Sequence, residues 1–170
     1  MKIALFILTA FVSTCYSQTT SKLSASDYYK SAGSYVNSKL YEKAILDFTK
    51  AIELKPDYAD AYAERGLYKT ELNDNKGAIL DFTKAIELKP NNPYTYSFRG
   101  RCKLRLKDYK GALPDYTKAI DLKPNYALAY YARGLIKQLL GEKDSGCLDF
   151  LKAGELGDED AYQAIKKYCN

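Results

Sequence analysis

The tract EKAILDFTKAIELKP, ending at Pro56, returns as KGAILDFTKAIELKP ending at Pro90 and as KGALPDYTKAIDLKP ending at Pro124, so the chain repeats itself every 34 residues. A second tract keeps the same period. AYAERG carries Tyr62, Arg65 and Gly66, TYSFRG carries Tyr96, Arg99 and Gly100, and AYYARG carries Tyr130, Arg133 and Gly134. A unit of this length is one supersecondary element, and it buries its apolar face only by stacking on its neighbours. The register divides the chain into units 25–58, 59–92, 93–126 and 127–160, with a flexible linker at 18–24 and a C-terminal capping helix over 161–170, for which Asp158, Glu159 and Asp160 make an acidic helix start.

Each unit reads as two helices. In the first, Tyr62, Gly66 and Leu72 share a stripe; in the second, Ala78, Phe82, Ala85 and Leu88 do. Polar turns such as Asn73-Asp74-Asn75 separate them. The Lys-Pro pairs close the second helix, because proline cannot continue it and forces the preceding residue out of helical geometry. Asn92 before Pro93 reads as an N-cap followed by a first-turn proline, and Pro114 is expected in the first turn of its helix, where no hydrogen bond is lost. The small residues Gly66, Gly100, Gly134, Ala44, Ala78 and Ala112 suit close helix packing.

Ahead of the repeats, Lys2, an apolar run from Ile3 to Val12 and the small polar residues up to Ser17 have the form of a secretory signal peptide over 1–17. The run is too short for a transmembrane anchor. Cleavage after Ser17 is expected. A lipid anchor at Cys15 is the alternative, since Val12-Ser13-Thr14-Cys15 loosely resembles a lipobox, although Thr14 fits it poorly. Either route sends the chain out of the cytoplasm, to a periplasmic or secreted location in a bacterium.

Charged residues repeat too. Arginine recurs as Arg65, Arg99 and Arg133, lysine four residues later as Lys69, Lys103 and Lys137, and aspartate as Asp47, Asp81, Asp115 and Asp149. Counting outward from the turn places arginine and aspartate opposite each other on antiparallel helices. The expected pairs are Arg65 with Asp81, Arg99 with Asp115 and Arg133 with Asp149, as a structural ladder fixing helix register. Asp47 has no arginine in its own unit and is expected to lean toward Arg65. Cys147 and Cys169 flank Gly157 at similar distances, so a hairpin of the last two helices brings them together. A disulfide there is one outcome, and two small packing residues the other. Cys102 is expected in the core.

These residues resemble the tetratricopeptide repeat family over about 25–160: unit two supplies Tyr62, Gly66, Ala78, Phe82, Ala85 and Pro90 at the family's marked positions. Departures fall at the ends, with Ser31-Ala32 in place of Arg-Gly, Gly146 in place of Ala and Asp158 in place of Pro. The resemblance implies an all-α, right-handed superhelical solenoid of four helix-turn-helix units plus the capping helix. It also implies a concave groove lined by first helices, here carrying Tyr29, Leu67, Tyr94, Arg101, Arg105, Leu128, Tyr131 and Leu135, a surface suited to a peptide or partner segment. The subfamily that grips chaperone C-termini needs Lys, Asn, Asn, Lys and Arg where this chain has Tyr29, Gly33, Glu64, Tyr94 and Phe98, so that ligand is not expected.

Other classes of function are weakened by composition. With no histidine and no tryptophan, imidazole acid/base chemistry, Ser-His-Asp systems and imidazole metal sites are absent. No CxxC pair is present and no cofactor is expected. The net charge of +5 is mild, and the basic residues between Arg99 and Lys110 span several helix faces, which argues against nucleic acid. The expectation is a non-enzymatic protein-interaction scaffold; the alternative is a structural or assembly subunit of a cell-envelope complex.

Overall fold

The computed structural model describes residues 22–37 and 40–169. The expected signal peptide over 1–17, with Cys15, and the first part of the expected linker lie outside the described residues. Among the described residues there are nine helices and no strand: α1 (Ala25–Asn37), α2 (Tyr41–Leu54), α3 (Ala59–Glu71), α4 (Asn75–Leu88), α5 (Pro93–Arg105), α6 (Tyr109–Leu122), α7 (Ala127–Leu139), α8 (Lys143–Glu155) and α9 (Glu159–Tyr168). They pack as hairpins α1/α2, α3/α4, α5/α6 and α7/α8. The second helix of each hairpin also packs on the first of the next, and α9 closes the stack against α8. This is an all-α repeat superhelix. None of the described helices is long and apolar enough to cross a membrane.

The turns explain the period. Within a hairpin one residue takes positive φ, Asn73 at 63°, Lys107 at 61° and Gly141 at 85°. The next backbone N–H then reaches back to the carbonyl of Lys69, Lys103 or Lys137 at 2.8–2.9 Å, a Schellman closure of the first helix. Asp74 and Asp108 at once cap the second helix, accepting from the N–H of Gly77 and Gly111 at 2.9 Å. At the far end Lys55, Lys89 and Lys123 are extended, with φ near −139°, −137° and −139°, as a residue before proline must be.

Packing follows the small residues. Phe48, Phe82, Tyr116 and Phe150 are each at most 2% exposed, and the three later rings sit against Gly66, Gly100 and Gly134. A Cβ at Gly134 would lie 2.8 Å from the Phe150 ring and 3.0 Å from the Gly146 carbonyl. A Cβ at Gly146 would in turn lie 3.0 Å from the Gly134 carbonyl and 3.0 Å from Gln138 Nε2, which accounts for glycine there in place of alanine. Each buried ring contributes about 2–3 kcal/mol through area removed from water.

Two placements differ from the sequence reading. Pro114 is the sixth residue of α6, in its interior, so the Lys110 carbonyl has no N–H to accept there. The last helix starts at Glu159, two residues before 161, because Asp158 stands where proline closes the other units and caps α9 by accepting from Ala161 N at 3.1 Å. Cys147 in α8 and Cys169 at the end of α9 are disulfide-bonded, and Cys102 is buried beside the Thr70 hydroxyl, 3.3 Å away.

Candidate functional site

The charged residues of the first helices fall into two groups, and the larger one is structural. Arg65 donates to Asp81 from Nε at 2.9 Å and Nη2 at 2.6 Å, Arg99 to Asp115 at 3.1 and 2.6 Å, and Arg133 to Asp149 at 2.8 and 2.7 Å. Each carboxylate is at most 5% exposed and binds a second cation, Lys69, Lys103 or Lys137, at 2.7–2.8 Å. Burial of a carboxylate requires such complete pairing. The remaining guanidinium nitrogen reaches across to the preceding unit, Arg65 to Thr49 at 3.0 Å, Arg99 to Thr83 at 3.1 Å and Arg133 to Thr117 at 3.5 Å. The expected lean of Asp47 toward Arg65 is therefore replaced by Thr49. Two residues on along α2, Thr49 projects from another side of the helix than Asp47 and faces the next unit.

The residues expected to line a groove divide by what they touch. Tyr29 is partly buried, stacked on Tyr58 with ring centroids 5.0 Å apart and edge-on to Phe48 at 5.5 Å. Burial, then the nearby Glu64 and Asp60 carboxylates, push its phenol up to about 12. Leu67 is half-buried against the cluster of Ala78, Phe82 and Cys102. Tyr131 is half-buried with its ring 5.8 Å from Phe150, and its phenol is raised by burial and then by Asp160 and Asp158. These three side chains hold neighbouring elements together.

The others are more available. Tyr94 is 44% exposed; its hydroxyl accepts from Lys123 at 2.6 Å, and its ring meets Tyr126 edge-on at 5.4 Å. Leu128 is 50% exposed. The Arg101 guanidinium lies 5.2 Å from the Phe98 ring centroid, and its buried Nε has no hydrogen-bond partner among the described residues. Arg105 is exposed and donates to the Thr70 carbonyl at 3.2 Å. Leu135 lines a cavity of about 310 Å³ with Leu104, Gln138, Leu139, Lys143 and Tyr168.

Sequence reasoning missed the threonines of the ladder and most of the cavity. The threonine signal was present, since Thr49, Thr83 and Thr117 recur on the same period as the arginines. Leu104 and Leu139 read as ordinary helix residues, and Tyr168 enters the wall only through the packing of α9.

A family model described as TPR repeat matches residues 34–70 and 100–141, and one described as tetratricopeptide repeat matches 59–92. Among curated proteins no sequence relative is detected. Among solved structures, the crystal structure of MamA is 25% identical with a TM-score of 0.76, over 81% of this chain and 81% of that one. YrrB, described as a TPR protein with an unusual peptide-binding site, is 23% identical with a TM-score of 0.76, over 84% and 74%. The first TPR of Spaghetti (RPAP3), bound to the HSP90 peptide SRMEEVD, is 25% identical with a TM-score of 0.67, over 69% and 93%. With the repeat matched over more than half of its length and the hairpin stack in place, the chain belongs to the tetratricopeptide repeat family.

Proposed function

We propose that this chain is a non-enzymatic protein-interaction module that holds an extended, acidic partner segment on the face built by α3, α5 and α7. One observation carries the reading: the five arginines divide into two classes. Arg65, Arg99 and Arg133 are consumed by buried carboxylates, whereas Arg101 and Arg105 have no carboxylate partner among the described residues. A guanidinium backed by an aromatic ring, on helices that also carry the exposed Tyr94 and Leu128, is suited to binding a carboxylate beside apolar contacts.

The comparisons support a peptide ligand. A TPR of Spaghetti (RPAP3) holds an HSP90 peptide, and YrrB is described with a peptide-binding site. The chaperone tail itself is a poor candidate here, because the positions that grip it hold Tyr29, Gly33, Glu64, Tyr94 and Phe98. The pattern of residues 1–17, together with the disulfide, supports export to an oxidising compartment.

The test is binding of envelope proteins by the purified chain beside an Arg101→Glu/Arg105→Glu variant of equal helix content. Charge reversal at the contact should weaken capture of an acidic partner at least about tenfold. Unchanged capture would move the site off this face, and capture in fixed stoichiometry through another surface would favour the assembly-subunit reading.

A further inference from the structure

The cavity at the C-terminal end of this face has a construction that the rest of the face lacks. Its walls come from α5 (Leu104), α7 (Leu135, Gln138, Leu139), the start of α8 (Lys143) and α9 (Tyr168). Two of these depend on one covalent bond. Tyr168 adjoins Cys169, whose bond to Cys147 ties the end of α9 to the first turns of α8. Gln138 Nε2 donates to the Lys143 carbonyl at 2.9 Å and toward the Cys147 sulfur at 3.4 Å. The buried residues of α9, Ala161 and Ala164, lie before its last turn; Tyr168 in that turn is 38% exposed, with its ring stacked on Phe150 at 6.0 Å between centroids. Beside that ring contact, the bond is the covalent attachment of the turn that supplies the wall.

The chemistry of the opening is one-sided. Leu104, Leu135 and Leu139 form an apolar floor, and Leu139 is 57% exposed. Lys143 lies on the wall, and Lys167 Nζ is 4.9 Å from the centroid of the Tyr168 ring. An apolar hole of about 310 Å³ with a lysine, Lys143, on its wall complements one aromatic or branched aliphatic side chain with a carboxylate next to it.

We propose that this cavity is the anchor site for an acidic peptide segment carrying one large apolar side chain, and that the Cys147–Cys169 disulfide builds it. The proposal rests on the peptide-binding reading above and adds the anchor's chemistry and its dependence on oxidation. A dithiol would dismantle the site: two electrons and two protons pass to the S–S bond, giving two thiols on the protein and a disulfide on the donor.

The probes are fluorescein-labelled Glu-Glu-Phe-Glu-Glu and its Glu-Glu-Ala-Glu-Glu counterpart, titrated with the purified protein by fluorescence anisotropy. The oxidised protein should prefer the phenylalanine peptide at least about tenfold, the equivalent of one well-buried side chain. Protein reduced with dithiothreitol, or carrying Cys147→Ser and Cys169→Ser, should lose most of that preference while circular dichroism shows its helices intact. Tyr168→Ala, which keeps the disulfide, should lose it as well, and Leu135→Glu should abolish it. Equal affinity for the two peptides overturns the anchor, and a preference that survives reduction with helices intact overturns the role of the disulfide. Binding that responds to Arg101→Glu/Arg105→Glu but to none of the cavity changes sinks this proposal and leaves the peptide reading standing. Failure of every form to bind either peptide sinks both.

Discussion

Ala32, Gly66, Gly100 and Gly134 occupy one position of the repeat, where the two helices of a hairpin come closest. The demand there is steric, and it contrasts with Gly33 one residue on, around which a Cβ would meet nothing within 4 Å. Gly33→Ala should therefore stabilise the protein by up to about 1 kcal/mol, through helix propensity alone. Gly134→Ala should destabilise it by about 1–3 kcal/mol, by pressing on Phe150 and on the Gly146 carbonyl. Urea unfolding of both variants measures the contrast, and similar effects at the two sites would contradict the packing described. The Arg–Asp pairs were legible in the sequence because both partners lie in one unit at equal distances from a known turn. The Thr partners recur on the same period, but their pairing depends on how hairpins stack, and spacing inside a unit does not specify that.

Among the helices, α6 is the one whose sequence works against it. Its partners in the other hairpins carry Leu46, Leu80 and Leu148 where α6 has Pro114, and those leucines are 66%, 72% and 67% exposed. Nothing in the packing calls for proline at this solvent-facing position. Pro114→Leu should restore the hydrogen bond to Lys110 and raise stability toward the ~3 kcal/mol that an interior proline costs. Thermal unfolding with hydrogen exchange at residue 114 measures it, and an unchanged midpoint would show that α6 already accommodates the ring. Helix identity and order were readable from the period, and the start of α9 from the acidic run Asp158, Glu159 and Asp160. Extrapolating the period put that boundary at 160/161, whereas the substitution of Asp158 for proline turned a helix stop into a helix start.

Over the whole molecule, tyrosines link neighbouring elements, and this gives stability a defined alkaline limit. Tyr29 and Tyr68 are each pushed up to about 12, mainly by burial and then by Glu64. In the unfolded chain they ionise near 10. Below pH 10 both states keep the proton and the full contribution is present. Between about pH 10 and 12 the unfolded chain loses its protons first, so stability falls as pH rises. The thermal midpoint should decline across this window, and less steeply in Tyr29→Phe/Tyr68→Phe; equal slopes would show that these phenols are not what the alkali acts on.

Each internal joint of the stack presents the same two surfaces, a threonine from the unit before and an arginine from the unit after. Residues 44–56 and 78–90 are moreover identical in sequence. Excision of 59–92 would bring Thr49 to Arg99 across a joint of the existing kind, and duplication would add another. Gene segments this alike can recombine out of register and still encode matching joints. The number of units, and with it the reach of the binding face, is a quantity that heredity can change one whole step at a time without redesigning any contact.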